Sequence, residues 1–103
     1  MTSLSIPSRP WFLYVVQCAD GTYYTGISTD VARRVREHNA GRGARYTASR
    51  RPVALRASWR FADRRGAMHA EIAFKRKARP EKGRAIRMAD SFQQGRWALE
   101  QDE

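Results

Sequence analysis

Two phenols, a guanidinium, an imidazole and one isolated acid are the side chains of this sequence best suited to chemistry. Tyr14 and Tyr24 lie in two apolar, aromatic-rich runs separated by a turn signal, Ala19-Asp20-Gly21. Val31, Arg34, Val35 and His38 fall at i, i+3, i+4 and i+7, so Arg34 and His38 share one helix face with two valines. A guanidinium on a core-facing stripe must find a partner or line a wet cleft. The milder reading is that Arg34 and His38 snorkel at the stripe's edge. Glu71 is the only acid between Arg64 and Pro80, on a mainly apolar helix face of a very basic chain. Such a carboxylate is either paired to an arginine or holds a cation.

The elements that must position these groups begin with Trp11–Cys18 and Tyr23–Ile27, which read as a β-hairpin. A two-residue Asp20-Gly21 turn would pair Tyr14 with Ile27 and set the two tyrosines on opposite faces. A three-residue loop with Gly21 in the left-handed position pairs Cys18 with Thr22, Val16 with Tyr24 and Tyr14 with Gly26. The second register is preferred. It puts both phenols on one face, with Gly26 leaving space opposite Tyr14. Ordinary sheet aromatics would follow the same pattern.

Ser28 or Thr29 is the expected N-cap of a first helix, about Asp30 to Ala40, with Asp30 in its first turn and Gly41 closing it. Arg33, Arg36 and Glu37 fall off its stripe and read as solvated. Gly41–Pro52 reads as a flexible basic loop able to lie along a phosphate backbone or simply to be solvated. Val53, Leu55, Ala57, Trp59 and Phe61 alternate on one face of a third strand. Asp63 caps a second helix, about Arg64 to Ala78, whose apolar face includes Ala67, Met68, Ile72 and Phe74. A third, weaker helical segment starts at Pro80 and is weakened by Gly83.

At 103 residues the chain is read as one domain. Its net charge is +10. Residues 31–60 carry nine arginines against Glu37 alone, whereas residues 91–103 are net acidic. That distribution is a footprint for a polyanion. Only Lys75, Lys77 and Lys82 are lysines, and guanidinium forks suit phosphate oxygens. The single cysteine, Cys18, excludes an internal disulfide and reads as a buried apolar thiol. There is no apolar run long enough to span a membrane, and Met1–Pro10 lacks the pattern of a secretory signal, so a cytoplasmic location is expected.

At these residues the chain resembles the GIY-YIG nuclease family. Leu13-Tyr14-Val15 and Tyr24-Thr25-Gly26 stand where the naming triplets stand. Ser28 through Asn39 is similar to the family's capped helix with a double arginine and Glu-His-Asn, and Ala70-Glu71-Ile72 to its later glutamate helix. The resemblance covers about residues 10 to 82 and looks nearest to small, single-domain bacterial members. It implies an α+β fold, a three-stranded antiparallel sheet flanked by helices. Residues 1–9, with Ser, Thr and Pro, read as a flexible lead-in and 91–103 as a tail in a polar context, leaving 10–90 as the domain that the resemblance would make catalytic.

The resemblance further implies phosphodiester hydrolysis in DNA with one divalent ion, Mg²⁺ or Mn²⁺. Glu71 would ligate the ion, and Arg34 would stabilise charge on the scissile phosphate. Tyr14 or Tyr24 would help deprotonate the attacking water, and His38 would orient or relay the proton. Gly26 would keep the floor of the site clear. A free phenol, with a pKa of about 10, is a poor base, and Arg34 would push it toward phenolate. Arg33, Arg42, Arg45, Arg50 and Lys75 are the expected nucleic-acid contacts. Ile27 stands where some repair-type members carry a lysine, so one phosphate contact would be missing. Little intrinsic sequence specificity is expected, with an unknown protein partner able to supply targeting. The alternative is a nucleic-acid binding module on the same scaffold that cleaves nothing.

Overall fold

A computed structural model describes residues 9–89; the expected lead-in up to Ser8 and the tail from Asp90 onward lie outside them. Strands β1 (Trp11–Gln17), β2 (Tyr23–Ser28) and β3 (Ala54–Phe61) form one antiparallel sheet in the order β2-β1-β3. Helices α1 (Val31–Asn39), α2 (Arg45–Ala48) and α3 (Arg64–Lys75) surround it, and residues 79–89 are helical as well. Among the described residues no helix is long and apolar enough to cross a membrane.

The central strand explains the unbroken apolar run of the sequence. Leu13, Tyr14, Val15 and Val16 are all buried because β1 is covered on both faces. On one face Leu13, Val15 and Ala57 meet Phe74, Ile86 and Ala89. On the other, Tyr14, Val16, Cys18 and Val53 lie under Val31 and Val35 of α1. Burying a valine completely contributes roughly 1.5–3 kcal/mol, and Val15 and Val16 are both fully buried, on opposite faces.

The hairpin has the three-residue register. Val16 pairs with Tyr24 and Tyr14 with Gly26. Gly21 adopts φ +86°, and the Gly21 N–H donates to Cys18 O at 2.9 Å. Asp20 braces the loop by accepting from the Thr22 backbone and hydroxyl, at 3.1 and 2.6 Å.

Strand β3 departs from strict alternation. Val15 pairs with Ala57 but Val16 with Leu55, so Arg56 is an extra, bulged residue. The bulge turns Val53 onto the Tyr14 face while Ala57 stays on the Leu13 face, and it leaves Leu55 46% exposed. The single apolar face expected for residues 53–61 is therefore split in two.

Helix α1 is capped by Asp30 itself, whose carboxylate accepts from the Arg33 N–H at 3.0 Å. Ser28 Oγ instead accepts from the Asp30 N–H at 3.0 Å, one step earlier. The extended backbone of Asp30 sets its side chain within reach of the third amide, a position worth about 1 kcal/mol. Gly41, at φ +82°, closes the helix by donating to His38 O at 3.1 Å.

The expected face of α3 also shifts. Ala67 and Phe74 are buried, but Met68 and Ile72 are 37% and 49% exposed. The inward stripe is Ala67, Ala70, Glu71 and Phe74, so the acid sits on it in place of a hydrophobe. The helix stops at Lys75, short of Ala78. The next begins at residue 79, where Glu81 Oε1 accepts from the Ala78 N–H at 3.1 Å as half of a capping box. Ile86 and Ala89 are buried in the core, so this segment is firmly packed despite Gly83.

Candidate active site

Register and bulge together decide which side chains meet. Tyr14 and Tyr24 share the sheet face that α1 covers, and Arg34 and His38 project from α1 onto it. Tyr14 Oη lies 2.8 Å from His38 Nε2, and the Tyr24 ring meets the His38 ring edge-on at 5.2 Å.

Tyr14 fills the space that Gly26 leaves. A Cβ at Gly26 would sit 2.7 Å from Tyr14 Oη and 2.9 Å from Cζ. The glycine thus accommodates the buried phenol rather than keeping a floor open to substrate. A Gly26→Ala variant should lose about 1–3 kcal/mol, seen as a lower urea midpoint at unchanged slope. An unchanged midpoint would contradict this packing.

Burial dominates the chemistry of Tyr14. The residue is 1% exposed. Desolvation pushes its pKa up to about 12, against the opposing pull of Arg34, while Tyr24 and Glu71 add to the rise. Arg34 does pull this phenol toward phenolate as expected, but desolvation outweighs the neighbouring cation. Tyr24 is half-buried, and its hydroxyl makes no hydrogen bond among the described residues. It lines a cleft of about 270 Å³ with Tyr23, Thr25, Tyr46, Lys75 and Lys82.

The guanidinium of Arg34 is held by Glu37, with Nη1 to Oε1 at 3.0 Å. That contact, more than any other, raises the Arg34 pKa and lowers that of Glu37. Glu37, expected to be merely solvated, is thus the partner of the site arginine. His38 is fully buried, and its pKa is held below the usual histidine value by burial first and by Arg34 second. Its Nδ1 lies 2.8 Å from Thr47 Oγ1 and 3.3 Å from the Ala44 amide.

Those contacts overturn the loose loop expected over residues 41–52. It contains α2, and Thr47 at its centre is fully buried. Gly43 packs against the His38 ring so closely that a Cβ there would overlap Nδ1. Gly43 and Thr47 are neighbours of the candidate site that sequence reasoning missed; a glycine and a threonine in a basic loop carry no local sign of a distant imidazole. Asn39, the last residue of the Glu-His-Asn stretch, has a structural task. Its amide bonds both the N–H and the C=O of Val53, at 2.7 and 3.0 Å, tying α1 to the entry of β3.

Glu71 lies near enough for its charge to raise the Tyr14 pKa. Its carboxylate is 22% exposed and pairs with Lys75 Nζ at 3.3 Å, not with an arginine. Among the described residues no three His, Cys, Asp or Glu side chains gather to hold a metal. A cation at Glu71 would have one hard carboxylate from the protein, a donor suited to Mg²⁺ or Mn²⁺, and Lys75 as its competitor.

The expected nucleic-acid contacts divide by their present partners. Arg33 is exposed on α1, Arg42 in the turn after it and Arg45 at the start of α2. Arg50 is committed elsewhere. Its Nε pairs with Asp20 at 3.1 Å, its Nη1 donates to Tyr46 O at 2.9 Å, and its guanidinium stacks on the Tyr46 ring at 3.8 Å. Tyr46 in turn stacks on Tyr24, with ring centroids 6.0 Å apart. Arg50 therefore ties the hairpin tip to the wall of the cleft. Lys75 lines the cleft but is engaged with Glu71. Ile27 pairs with Leu13 on the opposite face and packs in the core, away from the phenols.

Comparison with known proteins matches residues 10–85 to the model of the GIY-YIG catalytic domain. A UPF0213 protein of Streptococcus pneumoniae strain R6 is 51% identical over 71 residues, covering 69% of this chain and 72% of its own. A UPF0213 protein of Halobacterium salinarum is 53% identical over 70 residues, covering 68% of this chain and 91% of its own. The solution NMR structure of a UPF0213 protein from Bacillus halodurans superposes with a TM-score of 0.51 at 38% identity, covering 77% of this chain and 84% of that one. The extent of the family match and the identity to these relatives lead to one conclusion: the chain belongs to the GIY-YIG nuclease family.

Proposed function

We propose that this protein hydrolyses phosphodiester bonds in DNA with one divalent cation, Mg²⁺ or Mn²⁺, held at Glu71. The observation that carries the reading is the Tyr24 hydroxyl. It is without a hydrogen bond among the described residues and fronts a cleft flanked by Lys75 and Lys82, with His38, Tyr14 and Arg34 stacked behind it. Tyr24 would then take a proton from the attacking water as phenolate, after giving up its own proton to solvent through the open cleft. Arg34 swings from Glu37 to the scissile phosphate, where its fork stabilises developing charge. Tyr14 and His38 hold that pair from behind. When bound, the cation supplies charge neutralisation at the phosphate and a more acidic water. One carboxylate is a thin donor set, so cation affinity should be weak until a phosphate oxygen joins the shell.

A second reading draws on the ion pairs Arg34–Glu37 and Glu71–Lys75, which already occupy both charged groups the reaction needs. A binding module that cleaves nothing would keep those pairs. Labelled duplex, flap and single-stranded DNA, incubated with wild type and Glu71→Ala in Mg²⁺ or Mn²⁺, separates the two. Cleavage by wild type and its loss in the variant is the expected result. Equal inertness on every substrate, with binding that falls steeply with salt and is unaltered in Glu71→Ala, would replace the nuclease with the binding module.

A further inference from the structure

Each ring nitrogen of the buried His38 has neighbours of definite hydrogen-bonding character. Nε2 lies 2.8 Å from Tyr14 Oη. Nδ1 faces the Ala44 backbone N–H at 3.3 Å and Thr47 Oγ1 at 2.8 Å. A peptide N–H can only donate, so a proton on Nδ1 would meet it head on and leave a buried donor unpaired. The Thr47 hydroxyl can rotate. The Ala44 carbonyl, 3.0 Å away, can accept from it alongside the Ala48 N–H, so the hydroxyl alone does not choose the tautomer. The Ala44 amide does: it makes Nδ1 the bare nitrogen, and the hydroxyl hydrogen then turns to Nδ1.

We propose that the turn from Gly43 to Thr47 fixes His38 as its Nε2–H tautomer, with Thr47 as a positioning residue, so that His38 donates to Tyr14. Gly43 admits the ring against the turn, since a side chain there would overlap Nδ1. Burial and the neighbouring Arg34 keep the imidazole neutral, which the arrangement needs. The Tyr14 oxygen then accepts the His38 N–H, while its own hydrogen turns away from the imidazole and Arg34 lies close enough to act on the same phenol. The accepted N–H fixes the orientation of the Tyr14 ring. In the other tautomer Tyr14 would donate to His38, and the Ala44 amide would have no acceptor. The consequence for catalysis rests on the proposed function, but the tautomer is a property of the free protein.

The test is a long-range proton–nitrogen correlation spectrum of histidine-labelled protein near neutral pH, without DNA or metal. The only other histidine, His69, is removed by His69→Gln to assign the signals. Wild type should show His38 with Nδ1 unprotonated and Nε2 protonated. Thr47→Val should give a mixture of tautomers, and Thr47→Ser should restore the single form. An Nδ1-protonated wild type, or a Thr47→Val spectrum identical to wild type, would overturn the inference. If Thr47→Val does not fold, the wild-type and Thr47→Ser spectra decide: both must show Nε2–H. Cleavage is measured on the same samples and should drop at least tenfold in Thr47→Val and return in Thr47→Ser. A wild type that carries the Nε2–H signal yet never cleaves supports the tautomer and refutes the proposed function.

Discussion

A Gly43→Ala variant is expected to lose any nuclease activity and much of its stability, although it adds one methyl group. The new Cβ would overlap His38 Nδ1 and come within 2.9 Å of the His38 Cα. Neither atom belongs to the loose end of a flexible side chain. The ring is held by Tyr14 on one nitrogen and by Thr47 and Ala44 on the other, and the Cα is helix backbone. Overpacking of this kind costs about 1–3 kcal/mol. Displacing the ring also leaves buried polar groups of Tyr14 and Thr47 unpaired, at about 1–3 kcal/mol each. A combined loss of about 3–9 kcal/mol is a large share of the 5–15 kcal/mol typical of a domain and corresponds to a drop in Tm of at least about 12 °C. Gly83→Ala is the control. Its Cβ meets only Arg87 Nη1, at 3.4 Å, and in a helix the change should stabilise by about 0.5–1 kcal/mol. If Gly43→Ala melts with wild type, the turn is not packed on the imidazole and the site loses its rear wall.

How much of this was legible in the sequence depends on the range of the interaction. The hairpin register follows from local chemistry, because Gly21 can take positive φ and the resulting count puts Tyr14 opposite Gly26. The α1 stripe was readable for the same reason: Val31, Arg34, Val35 and His38 sit one helical turn apart. Face assignment failed where a single residue broke the period. Arg56 bulges, and every apolar position of β3 before it changes side. On α3 the hydrophobicity of Met68 and Ile72 suggested a face that packing does not use; Glu71 took the inward position because the sheet edge leaves it partly open to water. Residue type and spacing singled out Glu71, Arg34 and both phenols, and the family resemblance gave them roles. It did not show that Glu37 and Lys75 hold the two charged groups in the free protein. Nor could any local pattern have singled out Thr47 or Gly43, whose importance exists only once α1 delivers His38 to them.

The two tyrosines should give opposite results on removal of one oxygen. Tyr24→Phe keeps the ring stacked on Tyr46 and edge-on to His38 and deletes a hydroxyl that bonds nothing among the described residues. Its stability should stay within about 0.5 kcal/mol of wild type. If Tyr24 takes the proton of the attacking water, cleavage should fall by about 10²–10⁴-fold. Tyr14→Phe instead deletes the partner of His38 Nε2 in a buried site and should cost about 1–3 kcal/mol. The Tyr14 variant carries a second signature at high pH. The folded protein keeps the Tyr14 proton up to about pH 12, whereas the unfolded chain releases it near the usual value of 10.0. Between those limits the native state binds more protons, so wild-type stability declines as pH rises from about 10 toward 12, by roughly 2–3 kcal/mol in all. Tyr14→Phe should lack that decline, while Tyr24→Phe should retain it. Urea unfolding of the three proteins at pH 9 and pH 11 measures the difference directly. Should Tyr24→Phe cleave like wild type while Tyr14→Phe is inert at equal folding, the cleft-lining phenol is not the base and the buried one must be uncovered during turnover.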